Sequence, residues 1–206
     1  MRSTLVVLCT LLAACGGSGS GSNTGPTSTT LSVTVPSGTM VSGTTMQASA
    51  TLNGVAATGV TWTSSDRDII AVTNTGMLTA AQVGNAVITA TSGSRQGTVA
   101  VSVTPGAPVE VRLWSGNLQS AAAGTNLAEP LCTVVVDANS NLIKGLVVTY
   151  AVATGGGTIA APTAPTTNSQ GIAISGLWKL GATTGQQTVT ATYGTLPPFT
   201  FTATAQ

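Results

Sequence analysis

From Leu31 onward the chain repeats with a period of two. Leu31, Val33 and Val35 alternate with Ser32 and Thr34. Met46, Ala48, Ala50 and Leu52 alternate with Gln47, Ser49 and Thr51. Successive side chains of an extended strand point to opposite faces, so this spacing lines one face with apolar groups. No stretch carries apolar residues at helical spacing over three turns. The runs are rich in Thr, Val and Ile, whose stiff branched Cβ packs well on a pleated surface. The 25 glycines and 9 prolines fall between the runs, where turns need them. The fold class is all-β.

Charge narrows the function. Only 5% of the residues are charged and histidine is absent. Setting aside Arg2, the bases are Arg67, Arg95, Arg112, Lys144 and Lys179, and the acids are Asp66, Asp68, Glu110, Glu129 and Asp137. Five against five leaves no net side-chain charge. Cations so few and so scattered form no basic patch, so nucleic acid is not an expected partner. Disorder needs high charge and few β-branched residues, the reverse of this composition.

The first unit reads as about seven short strands, spaced as in a β-sandwich. Its later part runs Val60-Thr61-Trp62-Thr63-Ser64-Ser65-Asp66, then Ile70-Ala71-Val72, then Gly76-Met77-Leu78-Thr79, then Gly84-Asn85-Ala86-Val87-Ile88-Thr89-Ala90. This order resembles the bacterial Ig-like domain of group 2, over residues 31–104. Independently of that resemblance, Trp62 on a central strand reads as the bulk of a core that has no disulfide.

Pro105-Gly106-Ala107-Pro108 then punctuates the chain. Short and proline-flanked, it reads as a stiff joint. A second unit follows over 107–206. Its strand from Leu131 ends at Asp137 with an Asn-rich turn, and Gly155-Gly156-Gly157, the turn from Thr167 to Gly171, Trp178 with Leu180-Gly181, and Phe201-Thr202-Ala203-Thr204-Ala205 come after it. That order resembles the group 1 bacterial Ig-like domain of invasin- and intimin-type adhesins. Asn168 stands where that pattern often has Asp. The expected architecture is two tandem Ig-like sandwiches.

At the other end, Arg2, the apolar run Leu5 to Leu12, and Ala13-Ala14-Cys15 resemble a bacterial lipoprotein signal with its lipobox. The run is too short to span a bilayer, which takes about 20 residues. Thr10-Leu11-Leu12-Ala13-Ala14 offers no clean A-x-A cleavage site. The resemblance implies that residues 1–14 are removed, that Cys15 carries lipid, and that the protein is held in the cell envelope by that lipid. Gly16 behind the cysteine favours the outer membrane in that family. Residues 15–30 read as a lipidated cysteine with a Gly/Ser/Thr tether, whose r.m.s. span is roughly 20 Å.

The catalytic inventory is thin. Without histidine there is no Ser-His-Asp or Cys-His set, and a Ser-Lys pair could use only Lys144 or Lys179. Asp66 and Asp68 read as a solvated turn around Arg67. Cys132 lies in a strand run and reads as a small buried hydrophobe. Asp137-x-Asn139-x-Asn141 copies the opening of a calcium loop, but Leu142 replaces the required glycine and Val148 the bidentate glutamate. Asx side chains also build turns on their own backbone, and that is the preferred reading, with a weak calcium site as the alternative. Trp114, beside Ser115-Gly116 at a strand end, either packs at the edge or stands out as a ligand platform.

The expectation is therefore a non-enzymatic, lipid-anchored envelope protein with no cofactor, no catalytic residue and no metal site. Its ligand-binding residues are not legible. It would act in adhesion, display or spacing, with a surface glycan or protein as partner, and a carbohydrate- or matrix-binding module is the alternative. Cys15→Ser should abolish incorporation of a fatty-acid analogue and release the protein from membranes. An unlabelled wild-type chain contradicts lipidation.

Overall fold

The structure is a computed structural model and describes residues 30–206; the expected signal at 1–14, Cys15 and most of the expected tether lie outside the described residues. Every named element is a strand. The first sandwich comprises β1 (Leu31–Thr34), β2 (Thr39–Val41), β3 (Thr45–Gln47), β4 (Ser49–Leu52), β5 (Val55–Ala56), β6 (Thr61–Ser64), β7 (Ile70–Val72), β8 (Met77–Ala80), β9 (Gly84–Ser92) and β10 (Arg95–Thr104). Its sheets run β1-β4-β5, β3-β8-β7 and β2-β10-β9-β6.

That is more, and shorter, strands than the alternation suggests, because single runs serve two sheets. The run from Met46 to Leu52 breaks at Ala48: β3 pairs with β8, whereas β4 pairs with β1. The Ala48 amide donates instead to the carbonyl of Gly76. Likewise β1 lies in one sheet and β2 crosses to pair in parallel with β10 in the other. Switching edges in this way closes the ends of a sandwich.

The second sandwich comprises β11 (Glu110–Ser115), β12 (Gln119–Ala121), β13 (Cys132–Val136), β14 (Thr149–Thr154), β15 (Thr158–Ile159), β16 (Ile172–Ile174), β17 (Trp178–Lys179), β18 (Gly185–Thr192) and β19 (Phe199–Ala205). Its main sheets are β11-β13-β16 and β12-β19-β18-β14, with β15 and β17 as a small ladder. The same crossing recurs, with β11 in one sheet and β12 parallel to β19 in the other.

Each sandwich closes around a tryptophan. Trp62 packs with Leu31, Ile70, Leu78, Ile88 and Val101. Gly76, at φ +81°, sits against it, and a Cβ there would stand 2.9 Å from Trp62 Cε2, so a side chain would displace the ring. In the second sandwich Trp178 is wholly buried with Leu131, Val135, Tyr150, Val189 and Phe201. Its indole N–H finds no acceptor. An unmade buried hydrogen bond costs about 1–3 kcal/mol, so the ring stays there for its volume. Phe201 adds an edge contact to Phe199 at 5.0 Å and a tilted one to Tyr150 at 6.0 Å.

β13 is buried throughout, as its unbroken apolar run requires. Val135 faces the sandwich core, and Cys132, Val134 and Val136 form a second cluster with Ile172. Trp178→Ala should cost about 3–5 kcal/mol as a large-to-small core change. Trp178→Phe should cost much less, since it also removes the orphaned N–H. Denaturant melts that rank the two variants equally would contradict a volume role.

Candidate functional site at the joint between the sandwiches

The residues Asp137 to Asn141 form a tight turn, and their side chains reach the other sandwich. The turn is built first from Asp137. Its Oδ1 accepts from the amides of Asn139 and Asn141, each at 2.9 Å. Its backbone N–H donates to the carbonyl of Asn141, and Ser140 N–H donates to the carbonyl of Asp137. Ser140 takes a positive φ of 64°, which aims Asn139 and Asn141 the same way.

Both asparagines then meet the first sandwich. The amide nitrogens Nδ2 of Asn139 and Asn141 donate to Ser42 Oγ at 2.7 and 2.9 Å. Ser42 in turn donates to the carbonyl of Ala81 at 2.7 Å, so its one proton and both lone pairs are used. Asn141 Nδ2 also lies 2.9 Å from the Ala81 carbonyl, and Asn141 Oδ1 accepts the amide of Val83 at 2.9 Å. Gln82 Nε2 donates to the carbonyl of Asn139. The linker is held as well, because Gly106 N–H donates to Asp137 Oδ2 at 2.8 Å. A Cβ on Gly106 would stand 3.3 Å from the Ser42 carbonyl oxygen and 3.4 Å from Asp137 Oδ2, so the linker passes close enough to favour glycine.

Ser42, Asp137 and Asn141 are 8%, 2% and 5% exposed. Buried polar groups persist where their hydrogen bonds are made, and these are made to one another. Burial pushes the Asp137 carboxyl up. The bonds from Gly106, from the Asn141 side chain and backbone, and from Asn139 outweigh that and hold it below its ordinary value. A carboxylate depressed in the fold contributes stability that is whole above about pH 4 and drains as pH falls through the folded value.

The sequence marked this turn for calcium or for Asx geometry. Here Asn141 turns its amide nitrogen, a donor, toward both oxygens of Asp137, at 3.1 and 2.9 Å. The turn and the joint use the Asx side chains. What sequence reading missed is Ser42, an ordinary serine with no motif around it.

The other singled-out residues make none of the bonds that cross the joint. Cys132 is buried on the outer side of β13. Asp66 caps its own turn by accepting from the amides of Asp68 and Ile69. Trp114 is 55% exposed, at a bulge of β11 between Leu113 and Ser115. Glu110 and Arg112 on the same strand pair at 2.7 Å, and Arg112 also donates to Ser140 Oγ. Tyr150 is a core residue whose hydroxyl donates to the Ala173 carbonyl and meets Thr133 Oγ1. Burial pushes it up to about 12.

Three surface clefts stand out among the described residues. One of about 470 Å³ lies over Trp62 and is lined by Ala48, Ala50, Val60 and Asn74. One of about 290 Å³ lies among Gly124, Gly157 and Lys179. One of about 280 Å³ lies beside the joint, with Val83, Pro105, Leu142 and Lys144. None of the three brings two ionisable side chains together.

Residues 27–104 match the family model of the bacterial Ig-like domain (group 2). No curated protein matches the chain. Among solved structures the chain is similar to the D00–D0 domain of intimin. That likeness is 13% identical, covers 85% of this chain and 99% of that one, and has a TM-score of 0.53. The adhesin FdeC of Escherichia coli is 18% identical over 86% of this chain and 62% of its own, at a TM-score of 0.49. InvD of Yersinia pseudotuberculosis is 17% identical over 86% and 57%, at 0.48. At 13% identity the likeness to the D00–D0 domain of intimin shows the fold alone: tandem Ig-like β-sandwiches.

Acidification tests the reading of Asp137. Stability to denaturant should fall as pH drops below about 4, and Asp137→Asn should flatten that fall. An unchanged pH profile in Asp137→Asn contradicts it.

Proposed function

We propose that this is a non-catalytic, lipid-anchored protein of the cell envelope, most plainly an outer-membrane lipoprotein, whose Ig-like modules serve adhesion, display or spacing. In this reading Cys15 holds the membrane and residues 15–30 are the tether. Residues 31–104 form the near module, and residues 107–206, resembling the group 1 type, form the far one. The observation that carries the reading is that this chain, with its two β-sandwiches, is similar in fold to the D00–D0 domain of intimin over 85% of its length. The chemistry agrees with it. The chain has no histidine, and its five acids are spread among a turn, a strand, a loop and the joint. An acid–base pair with tuned pKa values has no ready source in that inventory.

A second reading, a carbohydrate- or matrix-binding module, rests on Trp114. A large ring more than half exposed is unusual for tryptophan and suits stacking on a sugar. Sandwich loops and strand edges are common places for recognition in either reading.

Deletion of residues 107–206 from the anchored protein should abolish attachment of expressing cells to host matrix or to one another. Deletion of residues 31–103 should shorten reach and leave binding in place. Attachment that survives loss of 107–206 overturns the assignment of the far module. Loss of attachment in Trp114→Ala alone, with the fold intact, selects the glycan reading.

A further inference from the structure

We infer that the turn Asp137–Asn141 is a latch that fixes the two sandwiches at one angle, so that they move as a single rigid body. The linker alone does not require this. Only Pro105 to Val109 separate β10 from β11, and a short link sets the distance between domains more than their rotation. The rotation is set by the side-chain bonds. They land on two separate loops of the first sandwich, Ser42 after β2 and Ala81 to Val83 after β8. Two points of attachment on one side, together with the linker held at Gly106 by Asp137, make three constraints that no swivel about the linker can satisfy at once.

The bonds also have a fixed sense. Val83 N–H can only donate, so it orients the Asn141 amide, and that orientation turns Nδ2 toward Ser42 and Ala81. Asp137 does not cross the joint to the sandwich itself. It shapes the turn, holds the linker and receives the Asn141 amide, so it is a positioning residue for the two asparagines. Opening the joint would take Ser42, Ala81 and Val83 away from buried Asn141 and leave it short of partners unless water replaced them, a cost that opposes bending. The cleft of about 280 Å³ beside the latch, between Val83 and Pro105 on one side and Leu142 and Lys144 on the other, would change shape with any such bend.

The test is a distance distribution across the joint. Spin labels carried by non-natural residues at exposed Thr63 on β6 and Ala151 on β14, in the full chain, leave the cysteines untouched. Pulsed electron resonance should give one narrow distance. Asn141→Ala should lose that single distance and give a broad distribution. Because Asn141 also belongs to the Asp137 turn, Ser42→Ala provides a second variant on the opposite sandwich, which leaves the turn intact. It should broaden the distribution as well, with circular dichroism unchanged. A broad distribution in the parent chain overturns the latch. So does a narrow one that persists in both variants.

Discussion

Bulk is scarce in this chain, and each sandwich closes around one buried tryptophan, joined in the second by Tyr150 and Phe201. Seven aromatic residues serve 206 positions, and most inward-facing groups are Ala, Val, Ile or Thr. Two sheets stack about 10 Å apart, a gap that alanine and valine cannot fill alone. Trp62 and Trp178 fill it. The glycine at 76 and the unsatisfied N–H of Trp178 are concessions to those two rings.

Much of this could be read from the residues. Alternation of Leu31 with Val33, and of Val99, Val101 and Val103, reports strand faces directly, because a period of two has few other physical causes. Trp62 was legible as core, because a sandwich without a disulfide needs a bulky side chain on a central strand. The all-buried run at β13 was legible as a strand, but its second cluster with Ile172 was not, since nothing local says that a sheet's outer face is also covered. The splitting of Met46–Leu52 between two sheets was hidden, because both halves keep the same alternation across the break at Ala48.

The joint shows the same boundary from the other side. Asp137, Asn139 and Asn141 announce a turn, because Asx side chains bond nearby amides. The partners of Asn139 and Asn141 in the first sandwich lie 57 to 99 positions earlier, and no periodicity links Ser42 to Asn141. The proline-flanked linker suggested stiffness. The structure adds a cause that lies outside the linker, in a loop of the second sandwich. A protein that displays or spaces a binding face gains from such a joint, since a fixed angle keeps the far module's face in one orientation relative to the near one.

Two backbone amides report on that joint without any substitution. Val83 N–H and Gly106 N–H lie outside the strands, and their bonds go to the side chains of Asn141 and Asp137. Native-state hydrogen exchange reads each amide separately. If the two sandwiches form one body through the turn at Asp137, both amides should exchange as slowly as those of the paired core strands β9 and β10. Exchange at the rate of open loop amides, beside protected strands, would show that the sandwiches are only strung together.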